Sequence, residues 1–360
     1  MALPANIIKV LVPAMSAFAI GILSAPLLTH YLFKYKVWKK TTGKTALDGS
    51  EATEFKRIRE TQHAGTETKT PRMGGLLIWV TVLVVTLGIS LLAQTTGSVT
   101  FAKLDFLSRS QTWIPLIALL AGGVMGFAND LLDVSPSGER GVRLSTRLLF
   151  VTVVSGAIGW WFYAKLGMTA IGIPTDGTLA LGPFIIPLFI IVSLGIYAGG
   201  VIDGIDGLSG GVFSSIFASY AIIAFSQQQI NLAAFSATVA GGILAFLWFN
   251  VPPARFYMTE TGTMALTLTI AVLAFMTDTL GHGIGISVLP IVGGLLCLTV
   301  ASNILQVASK KFCGKKLFRI APLHHHFEAI GWPGYKVTMR YWILSIVLAF
   351  AGVILAIIAS

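Results

Sequence analysis

Residues 183–225 read PFIIPLFIIVSLGIYAGGVIDGIDGLSGGVFSSIFASYAIIAF. Two apolar runs, Pro183 to Ile202 and Leu208 to Phe225, are joined by a turn that holds Asp203, Asp206 and several glycines. Each run is close to the roughly 20 residues an α-helix needs to cross the hydrocarbon core of a bilayer. The segment therefore predicts two membrane helices folded back on each other with carboxylates at their junction. The pattern recurs on both sides, over Ile7 to Phe33, Met73 to Ala93, Trp113 to Leu132, Arg147 to Leu166, Asn231 to Phe249, Gly262 to Met276, Ile284 to Val307 and Tyr341 to Ala359. With 55% apolar and only 11% charged residues and a mean hydropathy of +0.81, the expected fold is all-α. It is a polytopic integral membrane protein of about ten transmembrane helices, with a single domain over residues 1–360. No basic cluster precedes the first run and no small-residue cleavage site follows it, so it is read as a retained anchor.

A formal charge of +10 would suit nucleic acid, but its placement argues for topology instead. When the connections are numbered along the chain, all of the 25 lysines and arginines except Lys9, Lys103, Arg109 and Lys165 fall on odd ones. Cytoplasmic loops carry such an excess. The odd connections, about 34–72, 133–146, 203–207, 250–261 and 308–340, are therefore expected in the cytoplasm, with both termini outside. Membrane lipid is the expected environment, and no nucleic-acid partner is expected. Cys297 and Cys313 face different surroundings, which predicts neither a disulfide nor a thiol metal site.

Asp133, Asp203, Asp206, Glu260 and the run His324, His325, His326 fall on those odd connections, and Asn129 and Asp130 lie where the third span exits into one, although only basic residues define the sidedness. Polar residues at helix ends can be ordinary interfacial decoration. Carboxylates near hydrocarbon, however, are costly and tend to be functional. Asp130, Asp203, Asp206 and Glu260, brought together, would repel one another unless a cation intervened, and oxygen-only ligands suit magnesium or manganese better than zinc. The glycines around Asp203 permit tight turns and close approach to a ligand, and amides opening the next helix would face an anion. A plain glycine-rich interhelical turn is the alternative.

Three further stretches carry polar groups. In APLHHHFEAIGWP, residues 321–333, successive side chains of a helix lie about 100° apart, so at most two imidazoles point at one ligand. Phosphate contact, proton transfer or hydrogen bonding to a sugar suits them better than zinc, which has no HExxH spacing here. A solvated histidine tract is the alternative. In TKTPRMGG, residues 68–75, Pro71 and two glycines suit a turn into a helix, with Lys69 and Arg72 near lipid headgroups. Asn250 and Tyr257, in FLWFN and RFYMTETGT, read first as a helix cap and a belt aromatic. Their functional alternative is a nucleobase edge and a stacking face.

Together these stretches resemble the polyprenyl-phosphate hexose-1-phosphate transferases. The resemblance covers nearly the whole chain, through TPRMGG, GFANDLLD, VIDGIDGLSGG, FLWFN, FYMTETGT and KKLFRIAPLHHHFEAIGWP in the family's order. The APLHHH run is similar to the muramoyl-pentapeptide branch rather than the N-acetylglucosamine branch. The resemblance implies ten transmembrane helices, a homodimer and Mg2+. It implies transfer of phospho-MurNAc-pentapeptide from UDP-MurNAc-pentapeptide to undecaprenyl phosphate, with release of UMP. The reaction would belong to peptidoglycan precursor synthesis, on the cytoplasmic face of the bacterial inner membrane. It assigns Asp203 and Asp206 to metal and nucleotide contacts, Asn250 to uridine, Tyr257 to stacking, and His324 and His325 to the diphosphate. Asn129 and Asp130 fall on the catalytic pair, Glu260 on a metal ligand, and Lys69 and His326 among the substrate-binding residues.

The chain departs from that pattern at several positions. Asn129 and Glu260 stand where the family has aspartates, Gly200 where it has asparagine, and Glu67 and Thr68 where it has a lysine pair. Arg72 is similar to the N-acetylglucosamine branch. The amide of Asn129 cannot take a proton from the acceptor. A phosphate monoester with a second pKa of about 6 is nevertheless largely dianionic at neutral pH, so catalysis is expected to rest on positioning and charge neutralisation. Three alternatives stand beside this reading. One is a UDP-N-acetylglucosamine transferase of the same superfamily. Another is a secondary transporter, although transporters hold their acids near the bilayer midplane. The third is a homologue impaired in turnover.

Overall fold

A computed structural model of the chain describes residues 2–38, 69–108, 110–135, 141–174 and 177–359. The basic stretch 39–68, with Glu67 and Thr68, lies outside the described residues, as do Arg109 and Arg140. The helices run α1 Ala2–Lys34, α2 Leu76–Thr96, a short α3 Val99–Leu104, α4 Trp113–Asp133 and α5 Leu144–Ala164. A two-stranded antiparallel hairpin follows, β1 Ala170–Ile173 with β2 Gly177–Ala180. The chain continues as α6 Ile185–Gly199, α7 Leu208–Ser226, α8 Ile230–Asn250, α9 Thr259–Met276, α10 Gly285–Val292, α11 Gly294–Cys313, α12 Leu323–Ala329 and α13 Gly334–Ile358.

Among the described residues nine helices are long and apolar enough to cross a membrane, or ten if α10 and α11 count as one span bent by 68°. The protein is therefore a multi-pass membrane protein, and nine of the ten apolar runs correspond to single long helices, the remaining one to the bent pair α10 and α11. The ninth is broken where an unbroken helix was expected. Pro290 removes a backbone donor, and the pair Gly293 and Gly294 tolerates the bend that follows. The hairpin is the other unforeseen element. Its Gly172 N–H donates to Asp278 Oδ1 at 2.6 Å, and Thr279 Oγ1 donates to the Ala170 carbonyl at 3.0 Å.

Almost every residue of α9 is buried, so this helix is the axis of the bundle. The apolar run begins at Gly262, yet α9 begins at Thr259. Its threonines look too polar for such a place, but Thr263, Thr267 and Thr269 donate to carbonyls one turn back at 2.7–3.1 Å, which satisfies each hydroxyl inside the helix. Helix α4 packs on α9, α1 and α7 pack on α8, and the lipid-facing sides of α1 and α13 carry exposed Leu, Ile and Phe.

Candidate active site

Two glycine contacts bring the polar ends of the helices together. A Cβ on Gly122 would lie 2.5 Å from the Met264 carbonyl oxygen, and one on Gly126 would lie 2.0 Å from that of Glu260. Only bare backbone lets α4 and α9 approach so closely. Asp130 stands one turn beyond Gly126 on the same face. At the mouth of α2, a Cβ on Gly75 would meet the Gly262 nitrogen at 2.2 Å, so the turn bearing Arg72 is pressed onto the same end of α9.

Asp130 is fully buried. Its Oδ2 accepts from the Thr259 hydroxyl at 2.5 Å, the Thr261 hydroxyl at 2.6 Å and the Thr261 N–H at 2.8 Å. Its Oδ1 accepts from Asn129 Nδ2 at 3.3 Å and lies 3.6 Å from Arg72 Nη2, which is also 3.3 Å from Asp133 Oδ2. Asn129 Oδ1 in turn accepts the Val142 N–H at 3.0 Å. The amide thus ties the loop after α4 to Asp130, a use that an ionised carboxylate could not duplicate because it has no donor.

The turn between α6 and α7 sends its two aspartates different ways. Asp203 accepts from Ser209 Oγ at 2.6 Å and from the Thr259 N–H at 2.8 Å. It keeps some surface exposure, yet burial of the carboxyl group pushes its pKa above the ordinary carboxylate range, against the opposing pull of those two donors and of Arg72. Asp206 Oδ2 accepts the Ala254 N–H at 3.0 Å, in the loop between α8 and α9. Asn250 clasps the same two loops: its Oδ1 accepts the Gly207 N–H at 3.0 Å and its Nδ2 donates to the Phe256 carbonyl at 2.9 Å. Tyr257 is half-buried, its main chain paired with Pro71 and Gly74.

The histidine run forms α12, and the expected division of its imidazoles is seen. His324 and His325 are buried with ring centroids 4.4 Å apart. A Cβ on Gly204 would lie 2.6 Å from His324 Nε2 and 2.7 Å from His325 Nε2, so both rings rest on the aspartate turn. His325 Nδ1 pairs with Glu328 Oε2 at 2.7 Å. His326 points away, accepting the Arg319 N–H at 3.2 Å. Burial and the Arg319 charge lower its pKa. Lys69 is exposed.

Glu260 forms an ion pair with Arg147, the start of α5 meeting the start of α9. It lies within electrostatic reach of Asp130, Asp203 and Arg72. Four carboxylates, Asp130, Asp133, Asp203 and Glu260, and two guanidinium groups therefore share one end of the bundle, while Asp206 bonds to the loop between α8 and α9. Among the described residues no three acidic, histidine or cysteine side chains converge as a ready metal cage. The donor chemistry still suits a hard cation, because Glu260 Oε2 is buried without a hydrogen bond. Sequence reasoning missed Thr259, Thr261, Ser209 and Glu328, and it counted Arg147 only as a topological charge. The i,i+3 spacing of His325 and Glu328 was the one available signal.

Comparison with known proteins fits this arrangement. Residues 112–278 match the profile described as Glycosyl transferase family 4, a stretch that holds Asp130, Asp203 and Glu260 but neither the Arg72 turn nor the histidine helix. A phospho-N-acetylmuramoyl-pentapeptide-transferase from Geobacillus thermodenitrificans is 33% identical over 289 residues, 79% of this chain and 83% of the relative. The chain belongs to the phospho-N-acetylmuramoyl-pentapeptide-transferase family. Relatives of the same name from Latilactobacillus sakei, 32% identical, and Bacillus velezensis, 30% identical, cover 94% and 93% of this chain and 95% and 94% of their own lengths. Membership in this family therefore extends to the Arg72 turn and the histidine helix, on both sides of the profile match.

Proposed function

We propose that the protein transfers phospho-MurNAc-pentapeptide from UDP-MurNAc-pentapeptide to undecaprenyl phosphate, giving lipid I and UMP. It would do so as a homodimer in the bacterial inner membrane, with the site on the cytoplasmic face. The observation that carries this reading is the gathering of Asp130, Asp203 and Glu260 with Arg72, Arg147 and the His324–His325 pair at one end of the bundle. Transporter carboxylates belong near the bilayer midplane instead.

In the proposed step an oxygen of the lipid phosphate attacks the sugar-bearing phosphorus of the donor. A new phosphorus–oxygen bond forms as the bond to the bridging oxygen breaks, and the electron pair leaves with UMP. No base is required, because a phosphate monoester is largely dianionic near pH 7, its second pKa being about 6. Asn129 therefore serves as a strut for Asp130 rather than as a proton acceptor. Arg72 and Arg147 orient and neutralise the diphosphate, His324 and His325 border it across the Gly204 turn, and Lys69 guards the approach. Asp206 and Tyr257 flank the uridine side, with Asn250 holding their loops in register. Glu260, with Asp203, would hold Mg2+, which supplies positive charge against the diphosphate and the departing UMP.

The test is the purified protein with UDP-MurNAc-pentapeptide, polyprenyl phosphate and magnesium, scored for UMP against a metal-chelated control. UDP-N-acetylglucosamine serves as the competing donor. Metal-dependent UMP release that Glu260→Gln abolishes is the expected result. Turnover with UDP-N-acetylglucosamine alone, or none with either donor, would overturn the assignment.

A further inference from the structure

Thr259 sits where its backbone is strained. Its φ is +54°, and among the described residues it is the only β-branched side chain in the left-handed region; the other positions there hold glycines, such as Gly141 and Gly207, or the unbranched Lys36, Met73, Gln228 and His282. A branched residue there is a genuine outlier, and strain of this kind persists where surrounding contacts over-determine it, commonly at functional sites. A second strained residue touches it. Met73, with φ +66°, donates its N–H to Thr259 Oγ1 at 3.2 Å.

The contacts explain what the strain secures. The Thr259 N–H donates to Asp203 Oδ2 at 2.8 Å, while the hydroxyl lies 2.5 Å from Asp130 Oδ2 and 2.8 Å from the Met258 carbonyl. The hydroxyl has one hydrogen to give, and a carboxylate is the stronger acceptor. One residue thus grips two carboxylates from different helix ends and, through Met73, the turn that carries Arg72. Glycine at this position would relieve the backbone and keep the Asp203 bond, but it would take from Asp130 one of the three donors on its Oδ2, leaving the two of Thr261, and from the Met73 N–H its acceptor.

We propose that Thr259 is a positioning residue of the transfer reaction, its hydroxyl fixing Asp130 and the Arg72 turn relative to Asp203. The inference rests on the transferase reading above. It is tested in the full-length protein with three variants, following the thermal midpoint together with kcat and KM for the donor. Thr259→Ser keeps the hydroxyl and should turn over within about twofold of the wild type. Thr259→Val keeps the branching and Thr259→Gly removes it; both lack the hydroxyl, and both should lose about tenfold or more in kcat with little change in KM. Thr259→Gly should nevertheless melt higher than Thr259→Val, because only glycine sheds the strain. A residue with a merely structural part would show kcat following the melting order. That outcome, or a glycine variant as fast as the wild type, overturns the proposal. A wild-type chain that releases no UMP brings down the transferase reading and this inference with it, whereas an active wild type with an equally active Thr259→Gly brings down the inference alone.

Discussion

Replacing Gly126 by alanine adds a single carbon where α4 meets α9. That carbon would stand 2.0 Å from the Glu260 carbonyl oxygen, 2.5 Å from its carbon and 2.8 Å from the Thr261 nitrogen, all backbone atoms that cannot rotate away. The helices must part by about 1.4 Å before the closest of these contacts is an ordinary one. Thr261 donates to Asp130 through both its N–H and its hydroxyl, at 2.8 and 2.6 Å, and the same displacement carries both donors beyond hydrogen-bond reach. Overpacking costs about 1–3 kcal/mol, and each lost bond to a charged group about 1.5–3 kcal/mol, so part of the total is spent even after the bundle relaxes. We expect a net loss of roughly 3 kcal/mol. A misplacement of about 1 Å at reacting groups costs about a hundredfold in rate, and a kcat drop of that order is expected. The assay is thermal unfolding in detergent alongside UMP release. Gly88→Ala in α2 is the control, since a Cβ there meets nothing within 4 Å, and it should be neutral or slightly stabilising. If Gly126→Ala melts and turns over like the wild type, the close contact of the two helices does not set the position of Asp130.

Two other perturbations probe charges at the two ends of the bundle. Arg147→Gln leaves Glu260 without its ion-pair partner; the two side chains are 20% and 24% exposed, so the cost is below that of a fully buried pair, about 1–3 kcal/mol. The double variant Arg147→Gln/Glu260→Gln should recover much of that loss in a thermal unfolding cycle, and additive losses would refute the pairing. At the other end, Asp278 accepts N–H groups from Gly172, Thr279 and Ile286, and burial still raises its pKa to about 6. A carboxyl raised in the folded state binds its proton more tightly there than in the unfolded chain, so its stabilising contribution is complete below about pH 4 and is lost as the pH rises through about 6. The whole change is about 3 kcal/mol. Asp278→Asn should remove that slope, although its Nδ2 cannot accept from Ile286 and the midpoint should drop at acidic pH. Parallel pH profiles for the two proteins would show that Asp278 does not titrate in this range.

The sequence by itself determined the class of fold and the number of spans, because crossing hydrocarbon demands about 20 apolar residues whatever the neighbouring helices do. It also identified the groups that would not sit in hydrocarbon without a reason, Asp130, Asp203, Asp206, Glu260 and the histidine run; Asp206 bonds to Ala254 rather than joining the other carboxylates. Those other three and two of the histidines do gather at one end. The division of that run was legible as well, since helical geometry forbids three successive imidazoles from sharing a face, and His326 does turn away.

Tertiary contacts decided the rest. Asp203 and Asp206 lie in one short turn and look equivalent as letters, yet one faces Thr259 and the other Ala254. Nothing local separates them, because the direction of each side chain is set by segments some 50 residues away in the chain. Arg147 reads as a topological charge until α5 brings it to Glu260, and Thr259 reads as an unremarkable loop residue until its φ and its two carboxylate partners are seen. Apolar period and length are properties of a single helix, so they survive in the sequence. The partner of a buried charge belongs to the packing of several helices, and that packing turns on backbone contacts such as Gly126 against Glu260, which only the folded chain displays.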